Sequence, residues 1–181
     1  MEIKNTLIQV AHRGLQPENT LFAFKKAYEA GFLVAECDVQ ATKDCQMIVC
    51  HDDTLRRTAT KNSALLDVPI ANLSYTDLQA IEVGSEQHGE RVPLLKQLLP
   101  IVPQGNYLLL EIKFKDSRFL SALISCITLY LDKVIVTSFC SMMLTALKQK
   151  LPQCKTILLT TAVKDMPTGL MVNSKDSLAE A

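Results

Sequence analysis

The chain has 181 residues, 48% hydrophobic and 21% charged, which suits one packed domain. Nineteen basic residues balance nineteen acidic ones and no basic run stands out, so no nucleic-acid partner is expected. No apolar run approaches the roughly 18–20 residues that span a bilayer. A strand pattern is under way by residue 7, so no export signal is expected, and six cysteines without a Cys-x-x-Cys pair read as free thiols in the cytoplasm.

Short apolar runs then alternate with helical patterns. A strand over residues 6–11 ends in His12, Arg13 and Gly14. A helix follows over 20–30. Asn19 or Thr20 can cap it, Leu21, Phe24, Ala27 and Tyr28 recur at helical spacing, and Gly31 ends it. Strands are expected at 33–39 and 46–50. Residues 52–93 are polar and the least regular, with one helix at 75–83 opened by Ser74 and Asp77 in a capping-box pattern. They read as a lid or small insertion, or as a long surface connection. Beyond them come a helix at 94–101, a strand at 106–112, a helix at 117–130, a strand at 133–138, a helix at 140–150, and strands at 155–159 and 169–172. The alternation implies an α/β fold with a parallel sheet and helical crossovers.

Chemistry gathers at the strand ends. Side chains alternate along a strand, so Glu36 and Asp38 share one face, as do Glu111 and Lys113. Burying Glu36, Asp38 and Glu111 together as bare anions costs several kcal/mol each. A hard divalent cation removes that cost, and oxygen-only ligands suit magnesium or calcium. Each carboxylate could instead bond a helix N-terminus, Lys or Arg. His12 and His51 each end an apolar run and suit general acid–base work. Arg13 and Lys113 suit phosphate oxygens or the nearby carboxylates. Asp52 and Asp53 could cap a turn, and His88 reads as a solvated loop residue.

The motifs His12-Arg13-Gly14, Pro17-Glu18-Asn19-Thr20, Glu36-x-Asp38-Val39 and Thr42-Lys43-Asp44 come in order. His51-Asp52-x-x-Leu55-x-Arg57-Thr58, Val92-Pro93, Glu111-Ile112-Lys113 and Ser138-Phe139 follow. From about residue 8 to 139 this pattern resembles the glycerophosphodiester phosphodiesterase family. The resemblance implies a TIM-type (β/α) barrel over 1–181, with 52–93 as a small insertion after the third strand. It implies metal-dependent hydrolysis of a small-molecule glycerophosphodiester to glycerol 3-phosphate and an alcohol. Glu36, Asp38 and Glu111 would bind Mg2+ or Ca2+. His12 and His51 would act as acid and base on opposite sides of the phosphorus, and Arg13 and Lys113 would hold phosphate. The substrate's own glycerol hydroxyl would attack first, giving a cyclic phosphate that water opens.

Two departures shape further expectations. Cys45 stands where the family has a glycine, in a turn expected to be left-handed. Family barrels end on a strand carrying Trp-Thr-x-Asn, whereas this chain has no Trp and about seven strand patterns in all. We therefore expect a barrel incomplete at its C-terminus and activity below that of a full member. Closure would come from residues 165–181 or from a second copy, the homo-oligomer being favoured because 173–181 are poor strand formers. A truncated or inactive relative that binds phosphodiesters or a partner is the alternative function. A secreted phospholipase D of the sphingomyelinase-toxin type is a third, against which the missing export signal speaks.

Overall fold

The computed structural model of the chain describes residues 8–160. β1 (Val10–Ala11) leads through α1 (Leu21–Glu29) into β2 (Val34–Ala41). Thr20 is the residue that caps α1: its backbone is extended and its hydroxyl accepts the Ala23 N–H at 3.1 Å. Ala23, Phe24 and Ala27 form the buried stripe, and Gly31, at φ +90°, lets the chain leave the helix in a left-handed turn.

β2 pairs in parallel with β1 on one side and with β6 (Tyr107–Ile112) on the other. β7 (Val134–Ser138) and β8 (Lys155–Leu158) continue the sheet, which runs β1–β2–β6–β7–β8. The links β6–α4–β7 and β7–α5–β8 use α4 (Leu120–Ile127) and α5 (Ser141–Lys150) as crossovers. This strand–helix repeat is that of a TIM-type (β/α) barrel. The strand expected at 169–172, and any closure by 165–181, lie outside the described residues.

The strand expected at 46–50 is present as β3 (Met47–Val49), but it corrects the all-parallel expectation. It pairs antiparallel with the far end of β2, Val39 facing Val49. The link between the two strands is too short for a crossover, so a hairpin is the only solution. Cys45 sits in that turn at φ +61°, the left-handed geometry anticipated there.

Residues 52–93, the stretch expected as a lid or insertion, pack between β3 and α3 (Leu95–Leu98) around a small core of their own. α2 (Tyr75–Gln79) starts on the Ser74–Asp77 capping box, as the pattern predicted. It stops at Gln79 rather than running to 83: Ile81 turns back with its N–H on the Leu78 carbonyl at 3.0 Å, and a strand begins at Glu82. β4 (Glu82–Gly84) then pairs antiparallel with β5 (Gly89–Arg91). α3 returns the chain to the sheet and tightens into a 3-10 turn at Leu99–Ile101.

β3 divides two apolar cores. Met47 and Val49 join the large core between sheet and helices, with Phe24, Leu108, Leu110 and Leu123. Ile48 and Cys50 face the other way, into a smaller core with Leu55, Leu78, Ile81 and Leu94. Alternation along one short strand thus fastens the insertion to the barrel.

Candidate active site

The parallel register sets Asp38 directly opposite Glu111, with Glu36 two residues earlier on the same face of β2. One oxygen from each of the three lies within 4.8 Å of the others. Asp38 is fully buried. Its Oδ2 accepts the Asn19 side-chain amide at 3.0 Å and lies 3.3 Å from Arg13 Nε. Its Oδ1 lies 3.0 Å from Lys113 Nζ, which also donates to Glu111. The Arg13 Nε and Lys113 contacts to Asp38 are ionic only: neither Arg13 Nε nor Asp38 Oδ1 has a hydrogen bond of proper direction. Glu36 accepts the Arg13 backbone N–H at 3.0 Å.

Burial pushes the Glu36 carboxyl up to about 8, and the Asp38 charge beside it adds to the rise. Burial also raises Glu111, against the hydrogen bond and charge of Lys113. Three carboxylates sharing two cations are short of positive charge. The donor set is all oxygen and tightly clustered, and it includes an Asp38 oxygen without a hydrogen bond. That fits a hard divalent cation. Cys37, between the two acids of β2, faces the core instead.

The histidines arrive on loops. Arg13, at φ +57°, and Gly14, at φ +73°, turn the chain sharply after β1. Gly14 is required there, since a Cβ would stand 3.0 Å from Ala23. Asn19, at φ +55°, closes the loop with its N–H on the Arg13 carbonyl at 2.8 Å. Non-glycine left-handed residues cost about 1–3 kcal/mol each and gather at functional sites. His12 leans over the acids, its Nε2 3.7 Å from a Glu36 oxygen, with its side chain 41% exposed.

His51 owes its place to the antiparallel return of β3. The Cys50 N–H donates to the Asp38 carbonyl at 3.0 Å, which brings the next residue level with the carboxylates. His51 Nδ1 lies 2.5 Å from Asp52 Oδ1, and its Nε2 is buried without a hydrogen-bond partner. Arg57 Nε donates to Asp52 Oδ2 at 2.6 Å, and its two terminal nitrogens donate to Glu18 at 2.8 and 2.7 Å. Glu18 also accepts from Arg13 at 3.0 Å. Burial favours a raised Glu18 carboxyl, but the Arg57 hydrogen bond and the charges of Arg13 and Arg57 hold it below the usual range.

The seven residues singled out in the sequence therefore lie in one connected site. Arg13 and Lys113 both meet carboxylates here. Four residues were missed as parts of it. Glu18 and Arg57 were motif positions without a role, Asn19 was read as a helix cap, and Asp52 as the cap of a turn. A polar stretch richer than one cap needs, Glu18-Asn19-Thr20, was the available signal for the first loop. The Thr42-Lys43-Asp44 motif is structural: Asp44 accepts the Thr42 hydroxyl at 2.6 Å and the first N–H of α2 at 3.0 Å. His88 is an exposed loop residue as expected, with its ring stacked on Phe22 at 4.1 Å.

Fold and site define a TIM-type barrel built around an acid cluster at its strand ends. The chain belongs to the glycerophosphoryl diester phosphodiesterase family, whose pattern matches residues 11–180. It is 34% identical over 156 residues to a glycerophosphodiester phosphodiesterase of Caldanaerobacter subterraneus, covering 81% of this chain and 63% of that relative. A solved structure from Silicibacter pomeroyi superposes at a TM-score of 0.79 over 97% of this chain and 72% of its own. At 23% identity it speaks to the fold alone. An Oleispira antarctica phosphodiesterase, solved with the product sn-glycerol-3-phosphate, matches at a TM-score of 0.75 and 25% identity. The match covers 84% of this chain and 66% of that one.

Proposed function

We propose that the protein hydrolyses glycerophosphodiesters to glycerol 3-phosphate and an alcohol, with Mg2+ or Ca2+ held by Glu36, Asp38 and Glu111. The observation that carries this is the buried acid cluster with Arg13 and Lys113 against it and a histidine on either loop. Membership of the family and the product found in the Oleispira antarctica relative support the same substrate class. When bound, the cation supplies Lewis acidity toward a phosphoryl oxygen. Arg13 and Lys113 give the phosphate positive charge. His51, with Asp52 on its Nδ1, offers Nε2 for proton transfer, and His12 serves the opposite side of the phosphorus.

The barrel with its 52–93 insertion acts as one unit in this reading. No helix among the described residues is long and apolar enough to cross a membrane. Six unpaired cysteines support a reducing, cytoplasmic location. Self-association is supported by β1 and β8, each with a single strand partner among the described residues.

The test is release of glycerol 3-phosphate from glycerophosphocholine and glycerophosphoethanolamine, with magnesium, with calcium and with chelator. Cation-dependent release is the expected result. Release at the same rate in excess chelator would remove the cation, and no release from any diester would remove the activity.

A further inference from the structure

We propose that Arg57 is a positioning residue that sets the tautomer and proton affinity of His51. Its guanidinium bridges two carboxylates. Nε closes on Asp52 Oδ2 at 2.6 Å, and the terminal nitrogens close on both Glu18 oxygens at 2.8 and 2.7 Å. The other oxygen of Asp52 faces His51 Nδ1 at 2.5 Å. The Asp52 carboxylate therefore cannot rotate without breaking a bond at one end or the other. Held there, it keeps the ring proton on Nδ1 and leaves the lone pair on Nε2, the buried nitrogen without a partner.

Charge matters as much as direction. Asp52 alone beside an imidazole favours the imidazolium, which has no base to offer. The Arg57 cation offsets that pull. The charged groups linked to His51 are Asp52, which meets its ring, Arg57 on Asp52, Glu18 on Arg57, and Asp53, which accepts from the Gln40 amide that also donates to the His51 carbonyl. Arg57 is the cation bonded directly to the His51 partner. A half-exposed arginine usually contributes little through an ion pair. Here three short donors engage two carboxylates, and Glu18 passes the link on to Arg13 at 3.0 Å. Arg57 thereby ties the His51 loop to the loop that carries His12. Lysine, with one nitrogen, cannot span both acids.

The kinetic part of this inference rests on the glycerophosphodiesterase reading; the tautomer part does not. With three histidines in the chain, imidazole 15N signals can be assigned by His12→Gln and His88→Gln. In the wild type, neutral His51 should carry its proton on Nδ1. In Arg57→Ala its titration midpoint should rise by about half a pH unit to one unit. Turnover on glycerophosphocholine should fall about 10–100-fold, the range for a lost supporting partner, while KM stays within about threefold. Arg57→Lys should keep the midpoint near the wild-type value, because the charge stays, yet lose turnover comparably. A folded Arg57→Ala with an unchanged His51 midpoint and tautomer overturns the proposal. If that variant does not fold, Arg57→Lys with wild-type turnover overturns it. Expected 15N behaviour in a wild type that cleaves no diester defeats the activity and leaves the positioning role standing.

Discussion

Glu36, Asp38 and Glu111 stand on paired strands, whereas His12 and His51 stand on loops, and the two halves of the site are held by different means. On β2 and β6 the hydrogen-bond ladder fixes where each acid points, and the charge is left unbalanced. On the loops the charges are paired off, from Arg13 through Glu18 and Arg57 to Asp52, and that pairing fixes the geometry. Like charges need the stiffer frame, because nothing within the group draws them together. The strand half keeps an unmet negative charge, and in the loop half the paired charges hold the side chains in line.

The largest effect should come from breaking the loop half at its tip. His51→Ala should lower glycerophosphodiester turnover about 10²–10⁴-fold, the range for a positioned proton-transfer group. Initial rates at saturating substrate measure it, and near-wild-type turnover would take His51 out of the mechanism.

The strand half should answer to pH. Glu36 holds its proton up to about 8, against 4.5 when unfolded, so in the folded state it binds a proton that the unfolded chain releases. Its stabilising contribution is complete below pH 4.5 and is lost as pH rises through about 8. Glu111 moves in the same direction. Without divalent cations, the urea midpoint should fall across that window, and added magnesium or calcium should reverse the fall. Glu18, with its lowered carboxyl, runs the other way and contributes above its ordinary pKa. A cation-free midpoint that climbed steadily from pH 5 to 8 would contradict the charge imbalance assigned to the strands.

Two smaller effects test the frame around the halves. Glu90, on β5, accepts the first two N–H groups of α1 at 2.9 and 2.8 Å and so clamps the insertion to the helix. Glu90→Ala should destabilise the protein by about 1–2 kcal/mol in urea unfolding. No change would mean the insertion is not anchored there. Cys45→Gly, in the left-handed turn between β2 and β3, should stabilise by a few tenths to about 1 kcal/mol, the relieved strain being partly offset by glycine's unfolded-state entropy. A loss of stability would mean the thiol makes a contact worth more than the strain.

The strand half was open to sequence reasoning because a period of two needs no tertiary knowledge. Glu36 and Asp38 had to share a face, and so did Glu111 and Lys113. The helix starts at Thr20 and Ser74 were legible for the same reason, since a cap is local chemistry. The loop half was legible only at its histidines. Nothing in the spacing of Glu18, Asp52 and Arg57 announces that one guanidinium spans two acids 39 and 5 residues away. That depends on β3 folding back along β2, which the alternation of strands and helices concealed. The shortened α2 was missed similarly: Leu78 and Ile81 fit a helical face as well as they fit the small core that claims them.

That small core has a consequence for how the molecule opens. Ile48 and Leu94 bridge at the wall between the two cores, and the Val49 N–H donates to the Pro93 carbonyl at 2.9 Å. Trimming away residues 52–92 would strip cover from Ile48 and Leu94, whose core partners Leu55, Leu78 and Ile81 all lie in that stretch. Amide protons of the insertion and of β3 should therefore exchange together, as one cooperative unit. His51 hangs from the end of that unit, so any loosening of residues 52–92 reaches His51 before it reaches the acids.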